Sequence, residues 1–471
     1  MTKLLLTLVL LAGFGSVSLA QSLDDYLIKT AENNPELKAA YNDYLAASER
    51  GNQVSLPDPE LQVGFFFRPM ERFMGNQQAD IRLMQMFPWF GMLKAQESEA
   101  DQMALAQYQL FLDAKNNLFY QFKTTWYALA ELQQEIRITE ENLEILQQYQ
   151  RMALIRFESA STSAAGPNAT PMASSSNSSV SAGAGGMNTM GNQSKGMSNQ
   201  AKSAGMSSLA AMSTSGSGMT DVLRIRLQIN TLENDLQLLE ANKIPLQVQL
   251  NKLMNQDREA DITNPEPLSA FELSLEKEII LDSISANNPM LAMYDAELMA
   301  LESQKQMAKL DGRPMLGAGV NYMPFKPRIE DGMSMGGNNM IMPMVTMTLP
   351  IYRKKTNARI KEAELLQESV RFNKQNTLNQ LEIGWSKAIR DLEDANRKVS
   401  LYDAQLELAK QNLSLLLTAY ATNGQDFEEV LRAQQLVLDY EFSKISAITK
   451  QHNTIALLDL LSAASLNSYS N

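Results

Sequence analysis

Methionine is the residue type in this sequence whose number and placement could do chemistry. The chain has 28 methionines, one histidine and no cysteine. A segment at about 159–219 holds Met172, Met187, Met190, Met197, Met206, Met212 and Met219. A thioether is a soft ligand that selects Cu(I) and, by the same softness, Ag(I). The segment therefore predicts a soft-metal site. The alternative, which stays open, is that methionine serves only as an inert, adaptable space-filler.

A second group of methionines lies in two segments that alternate between apolar and polar residues. The first segment carries Met84 and Met86, and the second carries Met340, Met342 and Met344. Alternate residues of a β-strand share one face, so each group shares its face with the polar residues of its segment. If such strands formed a barrel in a membrane with their apolar faces toward lipid, all five thioethers would point into the barrel or toward its rim. They join the candidate metal ligands.

Carboxylates form the third candidate group. Glu428 and Glu429 follow Asn423-Gly424, the only turn signal between two long helical stretches, and Asp221 occupies the matching place in the first half of the chain. Acidic residues are favoured at a helix N-terminus by the helix dipole. Repeated by symmetry, they would instead form a ring of negative charge that favours cations at a channel entrance. Both interpretations stay open.

Other kinds of chemistry are not indicated. The sequence has no Gly-rich phosphate loop, no nucleophile elbow and no zinc-ligand spacing, so we expect no enzyme activity and no cofactor. A net charge of −12 argues against nucleic acid as a partner. If the chain takes part in transport, another protein must supply the energy, because this sequence has no phosphate loop.

Four segments are predicted to be strands, at about 60–68, 78–88, 315–323 and 339–350. Their period of two and their length of about nine to eleven residues are typical of strands that cross an outer membrane. Four strands are too few to close a barrel, for which about eight is the minimum. Three chains would supply twelve, whereas two would supply eight, too narrow for a channel. A soluble sheet pair on a helical protein is the alternative.

The chain repeats one plan of helix, strand pair, long helix, tip and return helix. Asn33-Asn34-Pro35 recurs as Asn287-Asn288-Pro289, an offset of 254 residues (288 − 34), and Asp221–Arg224 resembles Glu429–Arg432. We place the first repeat at 21–268 and the second at 269–471, with its hairpin tip at about 420–428. Long stretches without proline on each side of that tip predict a hairpin of long helices.

Two segments lie outside this plan. Residues 1–20 combine Lys3, a short apolar run and small residues before a cleavage site near Ala20-Gln21, which predicts a signal peptide. The segment from Ser159 to Gly218 is poor in core-forming residues, so we expect it to be disordered.

The export signal, the duplicated plan and the tip sequence Tyr420–Gln434 together resemble the TolC-like outer-membrane efflux family, and the methionines favour its copper and silver branch. The resemblance implies a mostly α-helical fold with a small membrane β part. It implies a homotrimer whose twelve-stranded β-barrel, surrounded by outer-membrane lipid, continues as a long α-helical barrel in the periplasm. A periplasmic adaptor protein and an inner-membrane efflux pump are the implied partners.

The resemblance also assigns roles to the tip. The adaptor-docking and gating residues would be Thr422, Asn423, Gly424, Gln425, Asp426, Glu428, Glu429 and Asp221. The first hairpin departs from the family pattern. The offset between the repeats falls from 263 at Phe157 and Tyr420 to 208 at Asp221 and Glu429, so this hairpin carries an insertion of 55 residues (263 − 208).

We therefore expect the exit duct of a tripartite efflux system that exports Cu(I), Ag(I) or a similar soft metal. Multidrug export and protein (type I) export are alternatives, because the same scaffold serves them. An exported structural coiled coil or adhesin is an alternative from another class of protein, and such a protein would lack the four alternating segments.

Overall fold

The structure, a computed structural model, describes residues 22–72, 74–163, 217–263, 265–271, 277–423 and 427–464. Most of these residues are helical. The helices are α1 Leu23–Asn33, α2 Pro35–Asn52, α3 Met92–Ser163, α4 Ser217–Leu253, α5 Lys277–Asn287, α6 Pro289–Asp311, α7 Arg353–Asn423 and α8 Phe427–Ser462. The mostly helical fold with a small antiparallel sheet confirms the predicted fold class. Among the described residues, no helix has both the length and the apolar character that a membrane-spanning helix needs.

The described strands are β1 Glu60–Arg72, β2 Gly75–Phe87, β3 Met315–Met323, β4 Phe325–Lys326, β5 Arg328–Glu330, β6 Met333–Met335 and β7 Met340–Thr348. The four long strands form the main sheet in the order β1-β2-β3-β7. All pairs are antiparallel, β4 adds to β2, and β5 pairs with β6 as a separate hairpin. The pairing of β2 with β3 joins the first repeat to the second within one sheet.

The strand bounds extend the predictions. β1 and β2 reach Arg72 and Gly75, beyond the predicted 60–68 and 78–88, because they continue toward each other as a hairpin. The predicted strands at 315–323 and 339–350 correspond to β3 and β7. The short strands β4, β5 and β6 between them were not predicted, since none has enough residues for a recognisable period of two.

Both ends of the segment expected to be disordered are helical. Helix α3 continues through Ser163 and helix α4 begins at Ser217, so the disorder predicted for Ser159–Ser163 and Ser217–Gly218 is wrong. Adding a residue to an existing helix is far easier than starting one. An established helix can therefore extend into residues whose composition alone would not predict it.

The described residues divide into two compact units. One is drawn from residues up to Glu135, from Ala241–Gln405 and from Glu441 onward, and the other from Ile136–Glu240 and Leu406–Tyr440. Each unit takes residues from both halves of the chain. The compact units therefore do not coincide with the two sequence repeats, and the repeat bounds 21–268 and 269–471 stay a prediction.

Within the first unit, each repeat builds an equivalent core. In the first repeat, Tyr26 of α1 packs against Trp126 of α3, with ring centroids 5.1 Å apart, and Leu250 and Met254 close the cluster. In the second repeat, Ile284 of α5 belongs to the corresponding cluster, which contains residues of α7 and α8. A short helix of each repeat is thus fixed by apolar burial against the long helices.

Candidate functional site

The five strand methionines lie on one face of the main sheet. Residues paired across antiparallel strands share a face. Met84 pairs with Gly319, and Gly319 pairs with Met344 on its other side. The next row of the same face joins Met86, Gly317 and Thr346. The remaining members of this polar face include Asp80, Arg82, Asn321, Met340 and Met342.

Two glycines of β3 make room for these thioethers. A Cβ placed on Gly317 would lie 2.6 Å from the Met86 sulfur and 3.4 Å from the Met84 sulfur. A Cβ on Gly319 would lie 3.0 Å from the Met84 sulfur. The Met84 side chain therefore crosses the bare backbone of β3 and reaches β7, where the Thr346 hydroxyl lies 3.9 Å from its sulfur. Thioethers from β2 are thus gathered over the centre of the sheet.

The opposite face of the sheet is apolar and exposed. Phe67 is 100 % exposed, Val345 is 83 % exposed and Phe65 is 71 % exposed. Leu61, Val63, Leu83, Leu316, Val320, Ile341 and Met347 are exposed beside them. An apolar face of this extent is abnormal for a surface in water. The alternation read from the sequence therefore divides the sheet as predicted, with apolar side chains on one face and methionines and polar groups on the other.

An aromatic cluster organises the tip of the second hairpin. Phe427, the first residue of α8, is completely buried against Tyr420 at 4.8 Å and Tyr149 at 5.9 Å between ring centroids. The Arg156 guanidinium stands 4.4 Å from the centre of the Tyr420 ring and donates to the Tyr420 carbonyl at 3.2 Å. Burial raises the pKa of the Tyr149 hydroxyl, which stays neutral and donates to Gln434 at 3.3 Å.

Two equivalent arginines converge on one tip carboxylate. Glu428 forms an ion pair with Arg224 at 3.0 Å and with Arg432 of its own helix. Arg224 and Arg432 hold the same place in the two repeats. Glu428 and Glu429 lie in the first turn of α8, as the helix-dipole interpretation expects, and Asp221 is buried in α4. Arginine therefore compensates the charge of Glu428, which weakens its contribution to a negative ring.

Other predicted site residues are only partly described. Thr422 donates to the Thr418 carbonyl at 2.9 Å near the end of α7, and Met219 is 48 % exposed in the first turn of α4. Outside the described residues lie the predicted signal peptide 1–20, the tip residues Gly424, Gln425 and Asp426, and the methionines Met172, Met187, Met190, Met197, Met206 and Met212. Their roles, like the metal and docking roles of all predicted site residues, stay predictions.

Several functional candidates were missed by sequence reasoning. Gly317 and Gly319 lie in the strand predicted at about 315–323, but their contact with Met84 and Met86 depends on the register between β2 and β3. Arg156 gave no signal of its own, although the correspondence of Phe157 with Tyr420 marked the region. Within the described ranges, no cluster of three or more histidine, aspartate or glutamate side chains could hold a metal ion.

No protein-family profile matches the sequence, and no curated protein matches it significantly. Solved structures do match. The outer-membrane channel OprN is 12% identical over 94% of this chain and 90% of that chain, with a TM-score of 0.66. The outer membrane protein VceC of Vibrio cholerae is 12% identical over 94% of this chain and 96% of that chain, with a TM-score of 0.67.

A third similar structure is that of CusC, a protein in which conformational changes accompany folding and transmembrane channel formation. It is 14% identical over 94% of this chain and 92% of that chain, with a TM-score of 0.66. At such identities the similarity establishes the fold. The chain therefore has the TolC-like fold of outer-membrane channels, as its duplicated plan and its tip sequence predict.

Proposed function

We propose that the chain is the outer-membrane exit duct of a tripartite efflux system. It is a passive, gated channel and not an enzyme, and it works with a periplasmic adaptor protein and an inner-membrane pump. The mature chain lies in the outer membrane after removal of residues 1–20. The observation that carries the proposal is the main sheet, which has one exposed apolar face, one polar face and two edges without a partner among the described strands.

The unpaired edges require further strands. Among the described strands, the outer edges of β1 and β7 have no partner. A backbone group left without a hydrogen bond in lipid costs several kcal/mol, so a sheet in a membrane must close on itself. Pairing β1 of one chain with β7 of the next satisfies both edges. Three chains then form a barrel of twelve strands with the apolar face toward lipid and the methionine face toward the lumen.

Prolines are placed as this arrangement requires. Pro69 lies in β1 and Pro343 lies in β7, whereas the inner strands β2 and β3 contain none. Proline lacks the N–H that a central strand uses on both sides, and it is therefore confined to edge strands and bulges. Pro343 therefore fits an edge position for β7, whereas Pro69 lies within the Phe65–Met70 stretch where the pairing of β1 with β2 is irregular.

The proposed cargo is a monovalent soft metal, Cu(I) or Ag(I). The support is the concentration of thioethers in the segment at about 159–219 and on the polar face of the sheet, in a chain without cysteine. Multidrug or protein export would use the same scaffold, but neither would require a thioether-rich surface. The methionines therefore favour the metal over the other cargoes.

Cysteine cross-linking tests the closed trimer. The chain has no native cysteine, so two introduced cysteines give an unambiguous result. Val63→Cys on β1 is combined in turn with Ile341→Cys, Val345→Cys or Met347→Cys on β7, which samples three registers on one face. Oxidation of the detergent-extracted chain should give covalent dimers and trimers for one of these pairs. Leu83→Cys with Met347→Cys, which involves the inner strand β2, is the control and should give none.

The alternative from another class predicts a different result. A structural coiled coil or adhesin would be a freely soluble rod, and no pair of edge cysteines would cross-link it into a ladder that stops at three chains. A soluble dimer without such a ladder would reject the duct.

Silver binding tests the cargo. The full chain is compared with a variant in which all seven methionines of the segment at about 159–219 are leucine. Titration calorimetry should record fewer Ag(I) ions per chain for the variant. Equal binding by both chains would remove the segment from the proposal. If neither the full chain nor the variant binds Ag(I), multidrug or protein export would be favoured.

A further inference from the structure

Three methionines and two glycines of the main sheet form a candidate ligand site that is more specific than the general enrichment in thioethers. Both sulfurs of β2 lie close to Gly317, at 2.6 and 3.4 Å from the position that a Cβ on this residue would take. The Met84 and Met86 sulfurs are therefore no more than 6.0 Å apart (2.6 + 3.4). Two metal–sulfur bonds of about 2.3 Å, the length known for zinc thiolates, span up to roughly 4.6 Å. Small side-chain rotations would bring both sulfurs onto one ion.

A third methionine, Met344, lies on β7, on the other side of β3. Met344 pairs with Gly319 across the strand from Met84, and it lies on the same face. The Met84 sulfur already reaches the Thr346 hydroxyl, two residues along β7 from Met344. Met84, Met86 and Met344 are all half-buried, so an ion held among them would be partly shielded from water.

We propose that Met84, Met86 and Met344 of each chain form a three-thioether site for Cu(I) or Ag(I), centred over Gly317 and Gly319. The inference rests on the proposed function, since it places a cargo site on the face that would line the duct. Glycine is required because a side chain on β3 would occupy the space of the sulfurs. Thioethers are neutral and bind without releasing a proton, unlike cysteine, histidine and carboxylate ligands. Binding should therefore not change between pH 5 and pH 8.

Charges beside the site are mixed. Glu60 faces Met84 from β1, and Arg82 lies in the neighbouring row of the same face. A hard divalent cation would need several oxygen ligands, and among the described residues one carboxylate, that of Glu60, is paired directly with a member of the site. The donor set therefore selects a soft monovalent ion over Mg²⁺ or Ca²⁺.

Methionine oxidation of the full chain in detergent tests the site. A coordinated thioether should resist hydrogen peroxide, so the oxidation rate of each methionine is measured by peptide mass spectrometry with and without Ag(I). Ag(I) should slow the oxidation of Met84, Met86 and Met344 several-fold, equally at pH 5 and pH 8. Met347, which is 54 % exposed on the opposite face of β7, is the internal control and should be unaffected.

Two variants separate the site from a general effect of Ag(I). Met84→Leu with Met86→Leu conserves volume and should abolish the protection of Met344. Gly317→Ala keeps all three sulfurs but displaces that of Met86, and it should weaken the protection at every member. Met347→Leu is the matched control and should change nothing. Protection of Met344 that persists in the double variant, or equal protection of Met347, would overturn the site.

The same experiment distinguishes failure of the site from failure of the proposed cargo. If Ag(I) protects only the methionines at about 159–219, the sheet site is rejected and the soft-metal duct stands. If it protects no methionine anywhere, both are rejected. Trimer formation by the cross-linking test is independent of either result.

Discussion

The Asn288 side chain donates to the Leu461 carbonyl at 3.0 Å, as the Asn34 side chain donates to the Leu253 carbonyl at 3.0 Å. Each asparagine also caps the helix that follows it, accepting from Leu37 N–H or Met290 N–H at 3.0 Å. One residue therefore starts a helix and ties it to the end of the return helix. The duplicated Asn-Asn-Pro motif is explained by this double role in both repeats.

Removing either asparagine should destabilise its own repeat. Loss of a helix cap costs about 0.5–2 kcal/mol, and loss of the bond to Leu253 or Leu461 adds about 1 kcal/mol. Asn34→Ala and Asn288→Ala should each lower the denaturation midpoint measured by circular dichroism.

The neighbouring asparagines are matched controls. Asn33 donates to the Lys29 carbonyl and Asn287 donates to the Ser283 hydroxyl, both within their own helices. Asn33→Ala and Asn287→Ala should have little effect. If they lower the midpoint as much as the cap variants, the interhelical bonds contribute nothing special.

The tip of the second hairpin should depend on Phe427. This ring is completely buried between Tyr420 and Tyr149, and truncation of a buried phenylalanine costs about 3–5 kcal/mol. Phe427→Ala should speed amide hydrogen exchange around the start of α8 by roughly a hundredfold, which corresponds to about 3 kcal/mol of local stability.

Phe372, which is 68 % exposed, is the control for ring removal. Phe372→Ala should leave exchange at the start of α8 unchanged. Equal exchange in the wild-type chain and the Phe427→Ala variant would show that the aromatic cluster does not hold the tip.

Sequence reasoning reached the faces of the sheet but not its assembly. Alternation within Met340–Leu349 is a local property, so it assigned Met344 and Val345 to opposite faces. The register of β2 against β3 joins residues more than two hundred positions apart, and no local pattern contains it. The glycines under Met84 and Met86 were consequently visible only as small residues.

The same limit applies at the hairpin tip. The match between Asp221–Arg224 and Glu429–Arg432 established that Arg224 and Arg432 are equivalent. It could not indicate that both contact Glu428, because that contact depends on how α4 packs beside α8. One of the carboxylates considered for a ring of negative charge is therefore paired with two arginines.

A positive charge should be tolerated on one face of β7 and not on the other. Val345 is 83 % exposed on the apolar face, whereas its neighbour Thr346 lies on the methionine face. A lysine facing lipid near the middle of a membrane costs about 2–4 kcal/mol. Val345→Lys should therefore reduce the yield of folded trimer in lipid vesicles, and Thr346→Lys should fold nearly as the wild type does. Equal yields for the two variants would contradict the assignment of the apolar face to lipid.

Acidic residues inside α3 should make stability depend on pH. Burial raises the pKa of Glu135 above its ordinary value of 4.5, and the neighbouring Glu131 carboxylate raises it further. A raised carboxyl pKa means that the folded chain binds the proton more tightly than the unfolded chain does. The stability contributed by this group is complete below the ordinary pKa and is lost as the pH rises through the folded-state value.

Glu135→Gln should therefore be more stable than the wild type at pH 8 but not at pH 4, measured as the difference in thermal midpoint. Glutamine has nearly the same shape and no charge to desolvate. Glu140 is exposed on the same helix, and Glu140→Gln should follow the wild type at both pH values. An equal gain for Glu135→Gln at pH 4 and pH 8 would mean that packing, and not ionisation, accounts for the difference.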